Sequence, residues 1–250
     1  MNAWTGFWGT TPLSADVSQV RSALHDIGVG RILLSVMHAV WCQNPHLCND
    51  LIYKAAADHN DIDPVPVLDP TIASWRDELQ RVMKAPRARW VKLVPAYSGY
   101  SMTQAGDLLE ALARVGLGAI IQVRMEDPRR HHPLAQVPDT PVACIVEAAI
   151  RHPEVNFIVG GGSSAALLGA KSHLAARQNL FADTSQVDGI HGIKPLLEAG
   201  LTDKLFIGSH APFFTPLAGI ARVISDLDDD TTQAILSGNA NKLLEHKIKS

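Results

Sequence analysis

Cysteine is scarce: Cys42, Cys48 and Cys144 are the only three in 250 residues. An odd count so low excludes a disulfide framework, and with it the small secreted scaffolds that depend on one. Charge of either sign is also modest. Twenty-two Lys and Arg stand against 25 Asp and Glu, a net charge of -3 with no basic stripe, which excludes a nucleic-acid partner bound through its phosphates. No apolar run reaches the roughly 20 residues needed to cross a bilayer. No basic segment precedes an apolar stretch after Met1, so no secretory signal is read there, and the expected compartment is the cytoplasm. What is present is apolar: 46% of residues are hydrophobic, too many for a disordered chain. A chain of this length buries roughly three quarters of its unfolded surface, so neither a disulfide nor a structural metal is required to hold it.

Short apolar runs alternate with segments of helical periodicity. The first run is 4–9, followed by Val17, Val20, Leu24 and Ile27 at helical spacing up to Gly28. Strands are then predicted over 31–36, 64–68, 90–93, 119–123, 156–159, 180–183 and 205–208. Between them lie helix faces such as Ile72, Trp75, Leu79 and Val82, or Leu108, Leu109, Leu112 and Val115, and a long loop over 37–48. About eight strand–helix units in one chain, with no linker or low-complexity stretch, predict an α/β fold: one (β/α)₈ TIM barrel spanning 1–250, rather than an open doubly wound sheet.

Barrels of this kind carry their chemistry on the loops after the carboxyl ends of the strands. That rule selects Trp4 and Thr5, His38, Asp69, Lys92, Gln122 with Arg124, the 160–164 run, Asp183 with Ser185, and Ser209 with His210. Charged groups there need a partner or a ligand, because burying one unpaired costs several kcal/mol.

The C-terminal third carries a resemblance. Leu205-Phe206-Ile207-Gly208-Ser209-His210-Ala211-Pro212, then Ile235-Leu236-Ser237-Gly238-Asn239-Ala240 with Leu243-Leu244, is similar to the signature of the amidohydrolase-related, metal-dependent hydrolases of TIM-barrel fold: an apolar strand, Gly-Ser-Asp-x-Pro, a helix, then Gly-Asn-Ala-x-x-Leu. Val91-Lys92-Leu93 and Asp183-Thr184-Ser185 resemble that family's fourth and seventh strands. The resemblance implies a metal held by a His-x-His pair on the first strand, a His after the fifth or sixth, and the Asp of Gly-Ser-Asp. This chain departs at each position: Trp4 and Gly6, then Gln122 or Gly160 and Gly161, then His210. Hydrolytic zinc needs about three good protein ligands, so no metal and no other cofactor is expected at that site.

Several signals carry two readings. His210 suits general acid–base work near neutrality, or is a packed imidazole satisfied by backbone. Arg124, nearest the strand in a loop with Glu126, Asp127, Arg129, Arg130, His131 and His132, faces a carboxylate or is part of a solvated charge cluster. Lys92 holds a substrate anion, is a carboxylated metal ligand as in some relatives, or pairs with Asp69 or Asp183. Gly161 and Ser163, in Gly160-Gly161-Gly162-Ser163-Ser164, cradle an anion at a helix start or merely turn the chain. His38, Cys42, His46 and Cys48 share one loop, but their spacing fits no compact zinc module. Trp4 packs the core or lines the mouth.

Taken together, the leading expectation is a hydrolase or lyase acting on a small carboxylated molecule without the family's metal. Its catalytic pair is His210 and Asp183, and its substrate contacts are Arg124, Lys92, Gln122, Trp4, Gly161 and Ser163. Two alternatives stand beside it: a barrel that has lost catalysis and only binds a ligand or partner, and a hydrolase with a metal relocated to His38, Asp69 and His210. The partner is a small-molecule substrate, not nucleic acid or membrane; self-association into a homo-oligomer is left open.

Overall fold

The computed structural model describes residues 1–189, 191–225 and 227–245, without the side chains of Leu244 and Glu245; the Leu244 side chain of the C-terminal motif therefore lies outside it. Among the described residues eight parallel strands run in chain order: β1 (Asn2–Phe7), β2 (Ile32–Val36), β3 (Ile62–Pro64), β4 (Trp90–Leu93), β5 (Gly118–Gln122), β6 (Phe157–Gly160), β7 (Leu180–Asp183) and β8 (Leu205–Phe206). β1 to β3 and β4 to β8 form two sheets, the first edged by the two-residue antiparallel strand Ser14–Ala15. Isolated bridges join the sheets at both seams, Val67 with Lys92 and Asn2 with Gly208, closing the ring. At one seam Leu68 N donates to Lys92 O at 3.0 Å; at the other His210 N donates to Asn2 O at 3.2 Å. This is the TIM barrel that the alternating pattern predicts.

Alternation along fully buried strands supplies two cores from one run of residues. Val91, Leu93, Ala119, Ile121, Phe157, Val159, Leu180, Ala182 and Leu205 point outward and pack with the surrounding helices. Their neighbours Trp90, Ile120, Ile158, Phe181 and Phe206 meet Val65 inside the barrel, with Leu33 against them. Two residues further along β4, β5 and β7, the same inward register brings up Lys92, Gln122 and Asp183, and Asn2 joins them from the start of β1, all buried. A polar layer therefore rests on an apolar one, toward the carboxyl ends of the strands.

β4 and β7 fall where the apolar runs place them, while β3 does not. The reading of 64–68 as a strand is corrected to Ile62–Pro64 followed by a single bridge at Val67. Pro64 and Pro66 have no N–H for a ladder, so the backbone pairs only between and around them. The loop over 37–48 contains two 3₁₀ turns, Met37–Trp41 and Pro45–Asn49. Asn239, in the Gly-Asn-Ala motif, donates to the carbonyls of Thr202 at 2.8 Å and Leu205 at 2.9 Å and pins the C-terminal helix beneath β8. Among the described residues no helix is long and apolar enough to cross a membrane.

Candidate active site

Asp183 ends β7, 2% exposed, and is the hub of the polar layer. Its Oδ1 accepts from Ser185 Oγ at 2.6 Å, Ser185 N at 3.1 Å and Gly161 N at 3.0 Å, and its Oδ2 accepts from Asn2 Nδ2 at 2.9 Å. The left-handed turn of Gly161, φ 69°, brings that N–H inward, and a Cβ there would lie 2.6 Å from Gln122 Nε2. Gly161 and Ser163, expected to hold a ligand anion, are engaged within the chain. The anion at Gly161 is Asp183 itself, and Ser163 Oγ caps its own short helix by accepting from Ala166 N.

Lys92, with no exposed surface, donates through Nζ to Asn2 Oδ1 at 2.6 Å and stands 4.2 Å from the centre of the Trp4 ring. Burial lowers its pKa to about 7, against an opposing pull from Asp183. Asn2 thus bridges ammonium and carboxylate. Lys92 and Trp4, expected as substrate contacts, are sealed inside the barrel and engaged with protein partners.

His210 is also fully buried, in a left-handed conformation at φ 52° that costs a non-glycine residue roughly 1–3 kcal/mol. Trp4 Nε1 donates to its Nδ1 at 3.3 Å, so the ring carries its hydrogen on Nε2, which donates to the Met125 carbonyl. Burial lowers the imidazole pKa to about 4, so the ring is neutral at neutral pH. Both nitrogens of the imidazole expected to move a proton are thus engaged with protein partners. Gln122 Nε2 donates to Arg124 O at 2.7 Å, while its Oε1 is buried without a hydrogen-bond partner among the described residues. Above this layer Trp8, Val94, Met125 and Ala211 close the barrel axis with Tyr97 and Phe213.

Beside that apolar cover, a cavity of about 450 Å³ opens at the carboxyl end of the barrel, lined by Arg124, Arg129, Arg222, Ser185, Gln186 and Phe214, with Asp127, Val187 and Asp188. Arg124 is ion-paired with Asp139 and Arg129 with Asp127. Arg222 donates to the Val187 carbonyl and forms no ion pair among the described residues. Burial lowers its pKa, yet a guanidinium stays charged at neutral pH. Ser185 connects the cavity to Asp183. Gln186 Nε2 lies 3.4 Å from His210 Nε2 and donates to Arg124 O at 3.1 Å. Phe214 lies tilted against His210, ring centres 5.5 Å apart and planes 35° apart.

Two central residues escaped the reading of the sequence. Asn2 is a single polar residue at a strand start, and Arg222 sits in the helix Pro216–Ile224, whose pattern signals only an apolar face. The relocated metal set is not assembled. His38 stacks on Phe7 at 4.5 Å, Asp69 accepts from Thr71 Oγ1 at 2.6 Å, and His210 is engaged as described. Among the described residues no group of three or more His, Cys, Asp or Glu is placed to hold a metal.

No protein-family model matches the chain, and no curated protein is significantly similar to it. Solved structures are similar in fold. 5-Carboxyvanillate decarboxylase from Sphingomonas paucimobilis superposes with TM-score 0.71 at 15% identity, covering 92% of this chain and 83% of that one. 2,6-Dihydroxybenzoate decarboxylase from Rhizobium gives 0.68 at 14% identity, covering 94% and 90%. 5-Carboxyvanillate decarboxylase from Novosphingobium aromaticivorans, with manganese and 4-hydroxy-3-methoxy-5-nitrobenzoic acid, gives 0.71 at 12% identity, covering 89% and 78%. At such identities the likeness is one of fold.

The residues of this chain do not fit a metal at the position read from the C-terminal signature. Trp4 fills the first imidazole position with apolar volume. Gly6 fills the second, where φ is 103° and a Cβ would stand 2.3 Å from His38 Nδ1, so no side chain fits beside that ring. Gln122 and His210 are tied to backbone carbonyls, and the Lys92 amine occupies the face of Trp4.

Proposed function

We propose that the chain is an enzyme of the amidohydrolase-like barrel group, a hydrolase or lyase that takes a small carboxylated molecule into the arginine-lined cavity and works with its own side chains. The observation that carries this reading is Arg222, a guanidinium facing the cavity without an ion-pair partner among the described residues. Asp188 offsets part of the Arg222 charge without an ion pair, and a substrate carboxylate on Arg222 and Arg124 adds charge-assisted bonds to guanidinium, the strong class. Phe214 offers a face to an apolar or aromatic body. Ser185, 1% exposed, is nonetheless one of the residues lining the cavity, and its hydroxyl donates to Asp183 Oδ1, which makes Asp183 the base acting through Ser185. His210 holds the Met125 carbonyl rather than carrying a proton to the substrate. The decarboxylase neighbours, which act on carboxylated aromatics, agree with this substrate class.

Calorimetric titration with aromatic carboxylates, 2,6-dihydroxybenzoate among them, tests the assignment. Arg222→Ala is expected to weaken binding by roughly 10–100-fold, the worth of a hydrogen bond to a charged group, and Arg222→Lys to restore part of it. Unchanged affinity in Arg222→Ala would remove the cavity from the account. The sealing of Lys92, Trp4 and His210 favours a second reading, a barrel that binds such a molecule without converting it. Recovery of the ligand unaltered after long incubation would select that reading.

A further inference from the structure

The loop between β2 and the helix Asp50–Asp58 is folded tightly. Its second turn begins at Pro45, where the Asn44 side chain accepts from His46 N at 3.1 Å. His46 is anchored below: Asp69 N donates to its Nε2 at 3.0 Å, so Nδ1 carries the ring hydrogen and donates to Ser74 Oγ at 2.9 Å. Folding the loop on that anchor brings its two cysteines together. The Cys48 thiol donates to Cys42 Sγ at 3.2 Å, inside ordinary contact for two sulfurs. Cys42 is exposed and Cys48 half-buried, whereas Cys144 lies on the separate helix Val142–Arg151. Next to Cys42, Trp41 packs 4.8 Å from Trp8 and 5.6 Å from Tyr97, over the closed end of the barrel axis.

We propose that Cys42 and Cys48 are a dithiol modification site, closing to a reversible intramolecular disulfide in the presence of a low-molecular-weight disulfide and thereby fixing the Trp41 segment to the His46 anchor. The exposed Cys42 reacts first. It loses its proton, attacks one sulfur of the oxidant and expels the other as a thiolate, which takes up a proton. Cys48 then attacks the Cys42 sulfur of the mixed disulfide, its own proton passing to the second thiolate that leaves. Both cysteines are oxidised and the oxidant is reduced to two thiols, by ordinary exchange. Burial and the neighbouring Cys42 push the Cys48 thiol up to about 12, which keeps it protonated and second in order.

The test is incubation of the full chain with excess glutathione disulfide, alkylation of remaining thiols, and peptide mapping. The expected product is a 42–48 link, two hydrogens lighter than the reduced protein, reversed by dithiothreitol and unchanged in Cys144→Ser. Cys48→Ser should instead stop at a glutathione adduct on Cys42. Two outcomes would overturn the proposal: wild-type protein that stops at the Cys42 adduct, and wild-type protein in which both thiols persist while accessible model thiols are consumed.

Discussion

Replacing Asp183 with Ala is expected to lower the free energy of unfolding by about 3–5 kcal/mol, the cost of removing one partner from a buried, charged network. The residue is almost wholly buried and accepts from Asn2, Gly161 and twice from Ser185. Its loss leaves four donors without their acceptor and the Lys92 ammonium without the one carboxylate that offsets its desolvation. Asp58, ion-paired with Lys54 at the surface with side chains 49% and 76% exposed, is the matched control. Asp58→Ala should cost no more than about 0.5 kcal/mol, because an exposed helical pair is screened. Urea denaturation with an unchanged m-value reads both. A loss below about 1 kcal/mol for Asp183→Ala would mean that the polar layer contributes little to holding the barrel.

Lys92 is expected to give the protein a stability that climbs with pH above neutrality. In the unfolded chain the amine keeps its proton up to its ordinary pKa of 10.5, whereas in the barrel it releases it near 7. Between these values the unfolded state binds more protons, so the free energy of unfolding rises with pH; below about 7 both states are protonated and the slope vanishes. At 1.36 kcal/mol per unit the total gain is at most about 5 kcal/mol. Tyr53, Tyr97 and Tyr100, all pushed up by burial, oppose the trend above their ordinary value of 10, and the raised Cys48 thiol opposes it above its ordinary 9, so the useful window is about pH 8 to 9. Lys92→Met should abolish the rise there. A slope that survives this substitution would mean that Lys92 enters the barrel without a depressed pKa.

Both effects originate in a layer that the sequence discloses only in part. β4 and β7 are legible because each is a run of residues buried on both faces, ended by the turn that follows. Lys92 and Asp183 interrupt such runs, which marks them at once, since a charge amid apolar strand residues needs a partner. The identity of that partner is not legible. Asn2, the bridge, stands 90 residues from Lys92 and 181 from Asp183, and becomes their neighbour only when the ring closes between β1 and β8. His210 was singled out for its position after the last strand, but whether an imidazole faces a ligand depends on Trp4 and Met125, which reach it from across the barrel mouth. Arg222 was missed for the opposite reason: the spacing of Leu217, Ile220, Val223 and Ile224 announces a packing helix and says nothing of the cation between them.

The proposed chemistry at the Ser185–Asp183 wall of the arginine-lined cavity runs without a metal such as the manganese bound in the Novosphingobium aromaticivorans decarboxylase. The most direct measurement is turnover of a panel of small carboxylic acids by protein stripped of metal and assayed in chelator, followed by product analysis. Conversion of at least one acid is expected at a rate unaffected by chelator and lost in Ser185→Ala. Conversion that appears only after manganese or zinc is restored, and that is indifferent to Ser185, would contradict it.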